Sequence, residues 1–276
     1  MNLQTGHPSN LLSIFHSFKR NRRLTLEMTK REIRKKYQGS MFGMAWTFIT
    51  PLLMLTIYTF VFSVVFKARW GGEDSQSHTD FAIVLYTGLI VFGIFSEAIN
   101  QASSLVVRNV NYVKKVIFPL EILSIISLGG ILFQSTVSVG ILVLAQLLLK
   151  GYFPLTMFYF PIVVLPLILL SLGLSWFISS LGVFVRDIGQ ILSFVTTVLL
   201  FTSAIFFPIT SLPQQYQTIL KLNPITSTVE ESRKVLVYGQ SPDWLVVGGL
   251  LVLGVLFAYL GYWWFQKTRN GFADVL

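Results

Sequence analysis

The chain has 276 residues, 53% of them hydrophobic and only 12% charged, about half the charged fraction of roughly 25% usual for soluble domains. That balance excludes an ordinary soluble enzyme and points to an integral membrane protein. The formal net charge of +9 does not mark a nucleic-acid binder, because 9 of the 21 Lys and Arg precede residue 41, beside the first apolar run, where anionic lipid attracts them.

In the first thirty residues the apolar stretch Leu11 to Phe15 is broken by Ser13, too short for the core of a cleaved signal peptide, so the first span is expected to direct insertion. Leu11 to Tyr37 mixes apolar and basic residues, with Leu26, Ile33 and Tyr37 on one side of a 3.6-residue helix. It reads as an amphipathic helix at the membrane interface, with Arg31, Arg34, Lys35 and Lys36 reaching for headgroups; a solvated basic tail is the alternative. From Phe42 to Phe66 there are 25 residues without a charge, enough at ~1.5 Å each to cross a ~30 Å hydrocarbon core. Lys67 to Asp80 is a polar loop. Phe81 to Ile99 is the second span, and Glu97 near its end reads either as a functional intramembrane carboxylate or as a wetted interfacial group.

Asn100 to Glu121 carries Arg108, Lys114 and Lys115 and should be cytoplasmic, with a short helix ending before Pro119. Ile122 to Leu149 is the third span, and a fourth follows Pro154 and runs to the turn at Arg186 and Asp187. Ile188 to Phe207 is expected to be the fifth and Leu245 to Phe265 the sixth, closed by Trp263, Trp264, Lys267 and Arg269. With both termini inside, 15 Lys and Arg fall on the cytoplasmic side against 6 outside. Between the last two spans, Pro208 to Asp243 fits two short helices: one around Gln214 to Lys221, and one opened by a Ser227/Glu230 capping box and stopped by Gly239. They either re-enter the membrane or lie on its surface. The expected division is a cytoplasmic segment 1–41, a transmembrane domain 42–266 and a cytoplasmic tail 267–276.

Catalytic chemistry is not evident. There is no cysteine, no Gly-Lys pair for a phosphate loop and no His-Glu-x-x-His, and His7, His16 and His78 stand in polar segments. No metal, cofactor or nucleic acid is expected. The chain is instead rich in aromatics. Tyr58, Phe62 and Phe66 recur at four-residue spacing in the first span, with Phe201, Phe206 and Phe207 in the fifth. Aromatic faces stack on sugar C–H surfaces, which would suit a polymer path; packing against core or lipid explains them equally well.

Three motifs carry a resemblance across nearly the whole length: REIRKKYQGSMFGMAWTFITPLL at the start of the first span, VNYVKKVIFPLEIL after the second, and LNPITSTVEESRKVLVYG near the end. In this order they resemble the permease subunit of type-2 ABC exporters of O-antigen and related polysaccharides. The resemblance implies an all-α fold of six spans working as a homodimer in the bacterial inner membrane, with two copies of a separate ATPase subunit and a lipid-linked polysaccharide as substrate. It implies that Arg108, Asn109, Asn111, Tyr112, Lys114 and Lys115 belong to the ATPase-coupling segment, beside the interface helix. It also implies a channel lined by the first and fifth spans, and an outer gate at Asn223, Pro224, Glu230 and Arg233. Capsule and teichoic-acid exporters share this architecture, and the motifs do not separate them. A glycan-modifying membrane enzyme or an ion-coupled transporter would need catalytic acids or paired intramembrane charges that the spans do not display.

Overall fold

The computed structural model describes residues 11–65, 78–114, 118–151 and 153–276. All regular structure among them is helical: α1 (Leu11–Lys36), α2 (Trp46–Thr59), α3 (His78–Ala102), α4 (Leu105–Arg108), α5 (Val110–Lys114), α6 (Ile122–Lys150), α7 (Phe160–Phe184), α8 (Ile188–Thr202), α9 (Gln214–Leu222), α10 (Pro224–Leu236), α11 (Trp244–Thr268) and α12 (Phe272–Val275). A 3-10 turn at Gly43–Ala45 leads into α2, and a π-helical turn at Phe60–Val65 follows it. Neither irregularity was legible in the sequence.

Five helical stretches are long and apolar enough to cross a membrane: Gly43–Phe62, Phe81–Ala102, Ile122–Leu149, Leu155–Phe184 and Trp244–Val275. The expected fifth span, Ile188 to Phe207, is present as a shorter apolar helix. Its helix α8 stops at Thr202 after 15 residues, which at ~1.5 Å per residue falls short of a ~30 Å core. The chain breaks there because Ala204 takes a left-handed backbone (φ 49°), with its carbonyl directed to a side chain described below. Phe66, and nearly all of the polar loop to Asp80, lie outside the described residues.

The centre of the bundle is α3. In its apolar stretch 78% of residues are buried, against 17% for the span built on α2 and 22% for that on α11. It packs on α2, α6, α7, α8 and α10, so its Ile, Val, Leu and Phe face protein all round, as expected of a helix with no polar face. The other spans each keep one open apolar side. Phe48, Leu52 and Ile57 on α2, Phe60 in the turn that follows it, and Ile191, Phe194, Val198 and Phe201 on α8 are all exposed, which only a membrane or further protein can cover.

The most extensive helix pair is α7 with α11, and small residues let their backbones approach. A methyl group added at Gly261 would lie 2.0 Å from the Gly173 carbonyl oxygen, and one at Gly173 would lie 2.2 Å from that of Phe257. Pro161 sits in the first turn of α7 and Pro166 inside it, so the span persists through them. Because the spans alternate in direction, the end of α1, the α4–α5 segment and α12 gather at one end of the bundle, with Lys267 and Arg269; we call it the basic end. α9 and α10 mark the opposite end. At the basic end the last residues fold back, and Phe272 is fully buried against Phe265 and Phe184.

Candidate functional site

At the basic end, α1 lies against α6. The hydroxyls of Thr25 and Thr29 donate back to the α1 carbonyls of Asn21 (3.1 Å) and Thr25 (2.8 Å), which leaves their methyl groups free for contact. Thr29 meets Gly129, where an added methyl would lie 2.8 Å from Thr29 Cγ2. The packed stripe therefore runs through Thr25, Met28, Thr29, Ile33 and Tyr37. Leu26, placed on the apolar side by its spacing, is 59% exposed and lies off the stripe that is packed. Arg31, Arg34, Lys35 and Lys36 are exposed.

A polar chain ties this helix to the bundle. Tyr37 Oη donates to Gln134 Oε1 (2.7 Å), and Gln134 Nε2 donates to the Thr47 carbonyl (3.0 Å). Lys36 Nζ pairs with Glu97 Oε1 at 3.1 Å. The same oxygen accepts from Gln101 Nε2 (2.9 Å), Gln101 Oε1 accepts from Ser127 Oγ (2.7 Å), and Arg108 Nη2 donates to the Gln101 carbonyl (3.2 Å). Glu97 is thus a partnered group at the water-accessible rim. Its ion pair is half-exposed and contributes about 0–1 kcal/mol. These residues line a pocket of about 310 Å³.

The coupling segment divides by exposure. Arg108, Asn111 and Lys114 point outward, whereas Asn109 Nδ2 donates to the Leu105 carbonyl (2.8 Å) and Tyr112 stacks on Phe118 at 4.6 Å. Lys115 lies outside the described residues. The Phe118 carbonyl accepts from Arg269 Nη2 (2.9 Å), and Arg269 Nη1 pairs with Glu121 Oε2 (3.1 Å), so the C-terminal residues brace this segment. The structure brings the interface helix and the coupling segment together: Arg31 and Lys35 share with Asn109 and Tyr112 a second pocket of about 120 Å³.

At the opposite end, the expected capping box is corrected. α10 begins at Pro224, with Asn223 as its N-cap accepting from the Ile225 amide (2.9 Å); proline in the first turn needs no amide partner there. Ser227 is already inside the helix, where its hydroxyl donates to the Lys221 carbonyl (2.8 Å), and Glu230 is free for another partner. The stop at Gly239 stands: its φ of +65° is a left-handed value that glycine adopts without strain. Most of α10 is buried, against α3 and α7, while α9 has no buried residue. One short helix is inserted in the bundle and the other lies on its surface.

Arg233 explains why α10 is buried. Its side chain is fully enclosed, and its guanidinium donates to the carbonyls of Val84 (3.2 Å), Ala204 (3.0 Å) and Ile205 (2.8 Å) and to Glu230 Oε1 (2.6 Å). One planar fork thereby joins α3, the chain beyond α8, and α10. Sequence reasoning placed Arg233 in an outer gate but missed this role; an Arg three residues after a Glu, on one helical turn, was the only signal. Asn223 Nδ2 adds a bond to Ser203 Oγ (3.1 Å).

The aromatic candidates separate. Tyr58 and Phe62 are half-buried against the bundle's core, with Phe62 stacked on Phe81 at 5.3 Å. Phe206 packs on the same core and stacks on Phe201 at 5.4 Å. Phe201 is 61% exposed, the most open face of the described set, and Phe207 is half-buried.

An all-helical bundle with open apolar faces, a basic end and an inserted short helix before the last span defines a polytopic membrane protein. Residues 23–237 match the family model for ABC-2 type transporters, and the chain belongs to that family. It is 24% identical over 258 residues to the O-antigen export system permease protein RfbA of Klebsiella pneumoniae, covering 92% of this chain and 95% of that one. Over 102 residues it is 28% identical to the protein of the same name from Myxococcus xanthus, 37% of this chain and 36% of that one. Over 238 residues it is 25% identical to the polysialic acid transport protein KpsM of Escherichia coli, 84% of this chain and 88% of that one.

Proposed function

We propose that the chain is the channel-forming subunit of an ATP-driven exporter that moves a lipid-linked polysaccharide out of the cytoplasm across the inner membrane. It would act as a homodimer with two ATPase subunits and have no ATPase site of its own. The observation that carries this reading is the meeting of α1 with α4–α5 at the basic end, where exposed Arg31, Lys35 and Arg108 line the two pockets and exposed Lys114 stands on the adjoining α5. That is a docking surface for a soluble acidic partner, and the chain has no phosphate loop. The relatives' names supply the cargo class. The open apolar faces of α2 and α8 support a path between two copies, with Phe201 as its first aromatic contact and Tyr58, Phe62, Phe206 and Phe207 behind it. Asn223, Pro224, Glu230 and Arg233 would hold the outer gate.

The test is co-purification with the ATPase subunit, comparing wild type with Arg108→Glu/Lys114→Glu. The double reversal is expected to lower recovery of the ATPase at least ~10-fold, in the range of charge reversal at a complementary interface, while the permease itself folds. Equal recovery would mean that this surface does not bind the ATPase. Orientation is tested separately, since the chain has no cysteine. A cysteine at Ser241 should react with an impermeant reagent in sealed cells and one at Ser17 should not; the reverse pattern would invert the topology.

A further inference from the structure

We propose, on the exporter reading above in which α1 meets the ATPase, that Gln134 is a positioning residue for transport: from α6 it ties α1 to the proline break in the first span. Pro51 stands inside α2 and is buried. Proline has no amide hydrogen, so the Thr47 carbonyl, four residues earlier, loses its ordinary helical donor. Thr47 is fully enclosed, where an unpartnered carbonyl costs free energy, and in a membrane span a neighbouring side chain has to supply the missing donor. Gln134 does so, its Nε2 donating to the Thr47 carbonyl at 3.0 Å. A carbonyl only accepts, so the Gln134 amide is fixed with its nitrogen toward Thr47 and its oxygen left over. That oxygen accepts from Tyr37 Oη at 2.7 Å, and Tyr37 stands just beyond the end of α1.

The three residues form one relay. α6 packs on both α1 and α2, and Gln134 is bonded to both sides. The covalent connection between α1 and α2 turns at Gly39 (φ +83°) and Gly43 (φ +51°), with open space around both, so it does not hold one helix against the other. On the far side of the break, Tyr86 Oη donates from the central α3 to the Pro51 carbonyl (3.3 Å). A helix bends most readily at a proline, and here the carbonyls on either side of the missing rung are gripped by different parts of the protein: Thr47 by the relay to α1, Pro51 by the bundle's centre. Displacing α1 therefore pulls one half of the first span relative to the other, and α2 carries an open apolar face assigned above to the path.

Two substitutions separate positioning from support. Gln134→Leu removes both bonds. Tyr37→Phe cuts the link to α1 but leaves the Gln134–Thr47 bond, and water in the pocket of about 310 Å³ that both residues line can replace the lost hydroxyl. ATP hydrolysis by the complex purified with its ATPase subunit is set against glycan reaching the surface of the same cells. Positioning predicts that each variant raises ATP hydrolysed per glycan at least about fivefold, the low end of coupling between sites. Only Gln134→Leu should also lower the unfolding midpoint, by about 2–4 °C, the scale of one lost hydrogen bond. A purely structural Gln134 predicts wild-type coupling in Tyr37→Phe, and that result overturns the proposal. A second comparison needs only the purified chain. Pro51→Ala restores an amide beneath the Thr47 carbonyl, so in that background Gln134→Leu should lower the midpoint much less. An equal drop in both backgrounds would mean that Gln134 does not stand in for the missing amide, and also overturns the proposal. A wild-type chain that recruits no ATPase would sink the exporter reading and the transport role with it, while the unfolding comparison still decides which group serves the Thr47 carbonyl.

Discussion

Arg233→Met is expected to cost about 3–5 kcal/mol, the usual penalty for breaking a buried charge pair on one side, and to leave little monodisperse protein in detergent. Methionine roughly keeps the apolar stem but none of the donors. The carbonyls of Ala204 and Ile205, both bonded to the guanidinium, would lose a partner where water cannot replace it, and the Glu230 carboxylate would lose its cation. Arg233→Lys should fail nearly as badly, because one ammonium cannot span three carbonyls on two separate segments. Glu230→Gln should be milder, since the amide oxygen still accepts and Glu230 is a third exposed. Thermal unfolding of the purified chain decides it. A methionine variant with the wild-type midpoint would mean that the Arg233 bonds do not hold the short helix in the bundle.

Arg233 also marks where sequence reading ran out. The spans were legible because each is an uninterrupted apolar run bounded by charge or by Gly and Pro, and the membrane imposes that pattern on any sequence that crosses it. The end of α8 was not, because Ser203 to Phe207 is as apolar as the helix before it. The carbonyls at the break are held by Arg233, 29 residues beyond Ala204, and local composition carries no trace of a long-range hydrogen bond. The capping box failed for a related reason: Asn223-Pro224 and Ser227-Glu230 are both valid helix starts locally, and the pairing of Glu230 with Arg233 favours the first. At the basic end, residue types gave the right segments, but only packing distinguishes Tyr112, stacked on Phe118, from Lys114 on the surface. Likewise, four-residue spacing placed Tyr58 and Phe62 on one face without saying whether that face meets α3 or a channel.

Gly261→Ala is expected to be among the most damaging single-methyl additions in the chain. The new carbon would lie 2.0 Å from the Gly173 carbonyl oxygen and 2.6 Å from its carbonyl carbon, and both are backbone atoms that no rotamer change can move aside. α7 and α11 would have to separate along their whole contact, which also contains Gly254, where a methyl would meet the Pro166 carbonyl oxygen at 2.5 Å. Overpacking a tight interface costs about 1–3 kcal/mol and more where the neighbour is rigid; here the upper end applies. Gly173→Ala should behave alike from the other side, and combining the two should not rescue either, since each meets backbone and neither meets the other's side chain. Gly248→Ala and Gly249→Ala lie on the same helix α11, with open space around the added carbon. They should be neutral, or stabilising by up to about 1 kcal/mol, through helix propensity alone. The comparison is made by thermal unfolding of all four variants in one detergent. If Gly261→Ala unfolded at the temperature of Gly248→Ala, the α7–α11 crossing would be looser than the 2.0 Å approach requires.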